Sequence, residues 1–493
     1  MSHSQPIERS RKMKRISIFL FLLLMFFLAS CTPSDISADK KILPPDNKDI
    51  PIEGTWKVEK YKKGASKNSA SYKAEDMIGK AAVFDDKVAV VGDESCIKPL
   101  YKVKNVDASD YLLYQYKTNA SYLGITSPSI QVITVTAKDQ FFYEFIKYSD
   151  TEIITYVNGT FLYFKKVSGK VNIDSSKLNE KGKNVLGSDR FSSGSEYSGI
   201  LLGLKSHKKS SDAEYSYRTL WISSSNKISG NVYETEGLFV PRKSGFWTVN
   251  VKQNNTGGRI TSRIIADSVG RNIYDSAVMD LYLHKTNAYK DILYVGNNYI
   301  STENTDVSGI IYYRMLPIDN IENIRAVKIS DIAGNTGKAA LFDSGKRYLT
   351  SLSENDDAGS IDEENFAVVR RNGHWVLKGK LNNSDKGDFY INTIPPKILV
   401  SYDELFVPWN VVKLKIPDAV DIYTSPNMDM AIILTNTNIY IYTIDNGTLS
   451  KMPIRKVKLN DKETAVMAEW ATGKYTNKWQ KEFISQGAKV LKS

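Results

Sequence analysis

Cysteine and histidine are scarce in this chain. Its 493 residues hold two cysteines, Cys31 and Cys96, and four histidines, His3, His207, His284 and His374. None lies in a His-x-x-x-His or Cys-x-x-Cys pair, so a zinc site has no support. Gly-x-Ser-x-Gly, P-loop and dinucleotide fingerprints are absent too. The net charge is +11, yet no dense Lys/Arg run exists, which argues against nucleic acid as a partner. A mild positive excess suits anionic lipids or wall polymers, and equally plain solubility. Long apolar runs are missing with one exception, residues 16–27, apolar apart from Ser17. That run is shorter than the ~20 residues a membrane-spanning helix needs. What the chain does have is 42% hydrophobic and 11% aromatic residues, enough for real cores and too much for global disorder.

The apolar run carries the sharpest signal. Arg9, Arg11, Lys12, Lys14 and Arg15 precede it, and Leu28-Ala29-Ser30-Cys31 follows. A basic segment, an apolar segment and small residues before a cut point make a signal peptide. Leu28-Ala29-Ser30-Cys31 resembles the lipobox of bacterial lipoproteins. The resemblance implies that the Cys31 thiol receives a diacylglyceryl group and that a peptidase cuts before it. The lipid would then replace the discarded segment as a membrane anchor, placing the protein at the outer face of the cell membrane. The other reading is an ordinary anchor or secretory signal with Cys31 incidental. Met13-Lys14-Arg15 offers a second start site. With Cys31 acylated, Cys96 has no disulfide partner.

Residues 1–30 thus read as signal peptide. Residues 31–51, with Pro33, Pro44, Pro45 and Pro51, read as an extended tether. Residues 52–168 are dense in strand signals at 56–61, 82–91, 112–116, 130–136, 140–148, 152–157 and 160–167. Asn158-Gly159 between the last two is a hairpin signal. The spacing predicts a small antiparallel barrel or sandwich. Gly54-Thr55-Trp56 resembles the opening of lipocalin-like barrels, which implies a basic residue from the last strand, Lys165 or Lys166, packed over Trp56.

Residues 169–198 read as a linker, and 199–493 as a second β-rich domain. Strand signals recur there, including 200–204, 219–222, 247–251, 292–295, 310–315, 366–370, 375–377, 398–401, 411–416, 431–434, 439–444 and 455–459. Turns such as Asp343-Ser344-Gly345 and Asn372-Gly373 separate them. About two dozen short strands suit a β-propeller of roughly six or seven four-stranded blades. Arg242-Lys243-Ser244-Gly245-Phe246-Trp247 is echoed by Arg370-Arg371-Asn372-Gly373-His374-Trp375. Their offset of about 128 residues fits three blades of about 43 residues. Helix is scarce, and the best candidates are 463–471 and 476–485. The fold class is therefore all-β: a lipocalin-like barrel followed by a propeller-like domain.

Chemistry-bearing constellations are thin. Residues 354–365 form the densest acidic stretch but lack EF-hand spacing. Among 55 acidic residues the sequence singles out no catalytic pair. No cofactor and no metal is called for, and Cys31 is the one site residue named. The 29 tyrosines suit sheet faces and binding surfaces. The overall build is similar to surface lipoproteins of clostridial-type Gram-positive bacteria. The expectation is a lipid-anchored, non-catalytic binding or scaffolding module at the cell envelope. Its partners would be the membrane through its anchor, and an envelope protein or polysaccharide. The alternatives are an extracytoplasmic, carbohydrate-directed hydrolase using carboxylates in a propeller channel, and a lipocalin-like carrier with an open apolar cavity.

Overall fold

The computed structural model describes residues 50–491, apart from 65–73, 93, 138–139, 158, 172–196, 209–210, 257–258, 270–288, 324–325, 353–359, 383–386 and 446. Cys31 and the signal segment, the tether up to residue 49 and most of the expected linker lie outside the described residues. Residues 49–493 form one compact unit. Of the described residues 53% lie in strands and 18% in helix, so the fold is mostly β.

The first sheet has nine antiparallel strands: β1 (Gly54–Lys63), β2 (Ala81–Phe84), β3 (Val88–Val91), β4 (Glu94–Ile97), β5 (Leu100–Asp107), β6 (Ser129–Ala137), β7 (Gln140–Lys147), β8 (Glu152–Val157) and β9 (Thr160–Ser168). Their spatial order is β4-β3-β2-β1-β9-β8-β7-β6-β5. Strands β4 and β5 are thus opposite edges, yet only Lys98 and Pro99 separate them in the chain. A flat sheet nine strands wide, at ~4.8 Å per strand, cannot satisfy a two-residue link. The sheet therefore curls into a half-barrel. Its concave core shows the same curvature, because one apolar cluster draws residues from all nine strands, among them Trp56, Phe84, Val91, Cys96, Tyr101, Val135, Phe145, Ile153 and Phe164. Phe84 meets Phe145 edge-on at 4.9 Å, and Phe145 meets Phe164 at 5.9 Å. The concave face is filled by side chains, which counts against a carrier with an open cavity.

The convex face has a second core beneath α1 (Ala108–Tyr116) and α2 (Ala120–Leu123). Residues 112–116, expected as a strand, belong to α1. The Asp107 side chain caps it by accepting from the Asp110 N–H at 2.8 Å. Ala108, Leu112 and Tyr116 recur at four-residue spacing and bury together. A short apolar run fits either period, and here the cap decides.

The remaining strands build five antiparallel sheets among the described residues. The first contains β10 (Tyr197–Lys208), β11 (Ser211–Ser225), β12 (Ile228–Ser229) and β13 (Tyr233–Glu236). The next three are simple meanders: β14 (Leu238–Arg242), β15 (Gly245–Thr256) and β16 (Arg259–Ser268); β17 (Tyr289–Val295), β18 (Tyr299–Thr305) and β19 (Ile311–Pro317); then β20 (Ile361–Arg371), β21 (His374–Leu381) and β22 (Asp388–Tyr390). The fifth holds β23 (Asp421–Thr424), β24 (Met430–Leu434), β25 (Asn438–Asp445), β26 (Thr448–Leu449) and β27 (Arg455–Lys458). The chain then returns to the first of these sheets. Strand β28 (Thr464–Thr472) pairs with β10 from Ser198↔Thr472 to Lys205↔Thr464, and β29 (Lys489–Val490) pairs with β13.

Several expectations are corrected. Residues 464–471 of the segment expected as helix lie in β28 (Thr464–Thr472): the ladder with β10 holds the backbone extended, and a bulge at Val466 lets the strand serve two cores, with Val466, Met467 and Ala471 in one and Ala465, Ala468 and Trp470 against the other. Residues 411–416, expected as a strand, lie in α4 (Trp409–Lys415) and the residue after it. Residues 398–401 form a turn rather than a strand. Asp343-Ser344-Gly345 lies inside α3 (Ile329–Ser351), a helix missed entirely. That helix is kinked at Gly334, whose φ of 62° disguises its period. Helix α5 (Lys474–Ser485) forms as expected. Among the described residues five later sheets stand where six or seven blades were expected, and the two Arg…Trp echoes stand two sheets apart, not three. The insertion of α3 and its flanking segments stretches the spacing.

Phe145→Ala should lower the unfolding free energy by about 3–5 kcal/mol, since it opens the middle of the concave core. Denaturant melting checks this, and a loss below about 1 kcal/mol would show that the face is not packed.

Candidate functional site

The densest buried polar chemistry lies where the nine-stranded sheet meets the later sheets. It begins at the end of α1. Lys117 terminates that helix in a left-handed conformation, φ 51°, with its N–H on the Leu112 and Leu113 carbonyls. Its ammonium thereby reaches Asp403 at 2.5 Å. The Asp403 carboxylate, 5% exposed, also accepts from Arg370 Nη1 at 3.1 Å and from the Trp375 N–H at 2.9 Å. Arg370 then forks onto Asp421, with Nε and Nη2 at 2.9 and 2.8 Å, and donates to the Ile422 carbonyl at 2.8 Å. Its guanidinium lies over Tyr423 at 4.0 Å and Trp375 at 4.8 Å. The neighbouring Arg371 lies between Tyr114 at 4.7 Å and Tyr390 at 4.1 Å.

A second polar joint lies on β7. Glu144, buried, accepts from Tyr111 at 2.7 Å, Tyr116 at 2.8 Å and Thr134 at 3.2 Å. Its fourth donor, the Asn410 side-chain amide, comes from α4 across the junction. Leu113, Tyr114 and Val376 fill the space between the polar joints.

His374 sits inside this cluster. Its Nδ1 is 3.5 Å from Asp403, and neither ring nitrogen has a hydrogen-bond partner. Burial pushes the imidazole below the ordinary histidine value, against the pull of Asp403. Burial alone would raise the Asp403 carboxyl, but Lys117, with His374 and Arg370, outweighs it and holds the group well below the carboxylate range. A crevice of about 10 Å³ opens here, lined by Leu113, Tyr114, Lys117, His374, Thr393 and Ile394. That is room for a single water able to serve His374 and the unpartnered Tyr114 hydroxyl.

The Arg…Trp echo has a structural meaning. Arg242 lies over Trp247 at 4.6 Å, donates to the Asn297 carbonyl in the next sheet at 2.8 Å, and pairs with Asp319. Arg370 does the same toward Asp421 and Ile422. Both arginines end the first strand of a sheet and bind the sheet that follows.

Chemically, these groups form a clamp. Asp403, Asp421 and Glu144 each spend their oxygens on internal donors. The same holds for Glu463, which Arg218 grips at 2.8 and 2.7 Å, and for Asp291, which Lys205 holds at 2.7 Å. Glu469 on β28 differs. Burial pushes its carboxyl up to about 8, and the Ser401 hydroxyl donates to it at 3.3 Å. Among the described residues no group of three or more His, Cys, Asp or Glu side chains could hold a metal ion. Cys96 is buried, and burial pushes its thiol up to about 11, far from the thiolate a nucleophile needs.

Cys31 lies outside the described residues. Of the residues singled out in sequence, the structure brings Arg370, Arg371, His374 and Trp375 into the junction. It adds Lys117, Glu144, Asp403 and Asn410, which no local pattern marks. Comparison of the sequence with protein-family models and with characterised proteins finds no match.

Two predictions follow from this chemistry. Asp403→Ala leaves Lys117 and Arg370 buried without their shared carboxylate and should cost about 3–5 kcal/mol in denaturant melting. Glu469 is neutral in the fold but ionises in the unfolded chain above about 4.5. The stability it confers is complete below that value and falls by about 1.4 kcal/mol per unit as pH rises toward 8. Glu469→Gln should flatten the melting temperature between pH 5 and 8. A variant with the wild-type pH profile would refute the assignment.

Proposed function

We propose that this chain is a lipid-anchored lipoprotein at the outer face of a bacterial cell membrane, acting as a non-catalytic binding or scaffolding platform. Cys31 carries the lipid, and residues 31–51 hold the folded part off the surface. In this reading the nine-stranded half-barrel is lipocalin-like. Its support is Gly54-Thr55-Trp56 at the start of β1, with Lys166 from β9 over the Trp56 ring at 5.3 Å. The five later sheets act as propeller blades, with β28 against β10 closing the ring. The partner is an envelope protein or polysaccharide.

The observation that carries the platform reading is the junction. A module that hinges around a substrate keeps its interface wet and exchangeable, whereas here Lys117 meets Asp403 and Asn410 meets Glu144 across it, with both carboxylates almost wholly covered. The two parts present a fixed surface. The carbohydrate-directed hydrolase remains the second reading because of Glu469, a carboxyl kept neutral near pH 7 as a general acid requires. It needs a second carboxylate ~5–9.5 Å away, and the buried acids named above are consumed in pairing.

Cys31→Ala should abolish incorporation of labelled fatty acid and release the protein from membranes. Continued labelling would overturn the anchor. For the platform, a soluble form starting at Asp35 should retain one partner from envelope extracts in pull-downs. That retention should survive Glu469→Gln, whereas loss of a glycan-cleaving activity in Glu469→Gln would favour the hydrolase.

A further inference from the structure

The third of the later sheets carries a carboxylate that no hydrogen bond holds. Glu303 on β18 is half-buried and makes no hydrogen bond among the described residues. Asp291 on β17 and Tyr313 on β19 are its direct register partners, so the three side chains stand in a row on one face. Ion pairs reach both ends of this row from neighbouring sheets. Lys205 of β10 holds Asp291 at 2.7 Å, and Lys378 of β21 holds Asp388 of β22, which also accepts from the Tyr313 hydroxyl. Both lysines attract Glu303 as well, yet neither forms an ion pair with it. Three carboxylates thus face two ammoniums that are already committed. Burial, and after it the Asp291 charge, pushes the Glu303 carboxyl above the ordinary glutamate value.

Tyrosines surround the same point. Tyr215 on β11 and Tyr289 on β17 lie 6.3 Å apart, ring to ring, and both feel the charge of Glu303. Tyr289 is two residues from Asp291 and so projects from the same face. Tyr217 and Tyr313 spend their hydroxyls on Asp291 and Asp388. Those of Tyr215 and Tyr289 make no hydrogen bond among the described residues, and both side chains are partly open to solvent. Ile311, two residues before Tyr313 and 39% exposed, extends this open face. A lone carboxylate and two free phenols therefore meet at a solvent-facing patch framed by three sheets.

We propose that this patch, built by Glu303, Tyr215 and Tyr289, binds a sugar unit that carries a free ammonium group. The ammonium supplies the counter-charge that Glu303 lacks, in a charge-assisted hydrogen bond. The phenols exchange hydrogen bonds with sugar hydroxyls. The tyrosine rings offer flat apolar faces to the sugar ring and a cation–π contact to its ammonium. The excess of negative charge disfavours acidic polymers. A protein lysine would satisfy Glu303 but leave both phenols idle, so the sugar is favoured. The inference rests on the binding-platform reading above and takes polysaccharide, not protein, as the partner.

The probe is a glucosamine tetramer titrated into the full-length chain by calorimetry, with the N-acetylated tetramer and lysine amide as comparisons. The glucosamine tetramer should bind saturably. Acetylation, which removes its charge, should weaken binding at least tenfold. Glu303→Gln keeps the size of the side chain, so it should fold, and its affinity should drop at least tenfold. Tyr289→Phe deletes one hydroxyl and should weaken binding about threefold, which covers any failure of the first variant to fold. No saturable binding at about 10 mM glucosamine tetramer would overturn the proposal. So would equal affinity for the acetylated tetramer or for lysine amide, or variants that bind as the wild type does. The platform reading stands or falls separately, on the envelope pull-down with the form starting at Asp35.

Discussion

The pairing of β10 with β28 is the constraint on which the later sheets depend. These strands stand more than 250 residues apart in sequence and share a ladder eight pairs long. Each of the three meanders between them could in principle exist as a three-stranded sheet with exposed edges, a form that is marginal alone. Bringing the last long strand back to the first pairs β10 on both sides, so its edge is not left bare. Because loop closure over such a distance is costly in entropy, the ladder must be rewarded by packing. Strand β28 provides that packing by feeding residues into both of the large apolar clusters.

Charge does a different job. Inside the sheets the contacts are apolar and unspecific in direction. Between sheets, and between the half-barrel and the rest, the specific contacts are arginine forks and multiply accepted carboxylates. A guanidinium stacked on Trp375 or Trp247 is already oriented before it meets its carboxylate or carbonyl, so little further side-chain freedom is lost. Buried pairs of this kind add little net stability compared with apolar packing, but breaking one is expensive. They therefore define register between modules. The Glu144 and Asp403 joints fix how the half-barrel sits on the later sheets, and the shape of the combined surface follows from them.

Legibility in the sequence tracked the range of the forces involved. Hairpins with strong turn chemistry, such as β8–β9 and β20–β21, were readable because a turn and an alternating pattern are local. The helices α1, α3 and α4 were not. In α1 and α4 the apolar run is short enough to fit either period, and in α3 the kink at Gly334 splits the pattern. Strand β28 was mistaken for helix because its inward residues serve two cores, which erases the two-residue alternation. In the junction, Arg370 and Trp375 were visible as a repeat. Lys117, Glu144, Asp403 and Asn410 were invisible, since each is an ordinary polar residue until its partner arrives from a distant segment.

By itself the sequence determined the β-rich class, the Arg…Trp repeat and the absence of any metal or nucleotide motif, all of which are written in residues close together along the chain. It also carries the lipobox-like segment on which the anchor reading rests. Only the tertiary structure decided how many sheets form, which strand closes them, and which charges meet. These depend on contacts between residues tens to hundreds of positions apart, and nothing in a local pattern specifies which distant partner a buried charge will find.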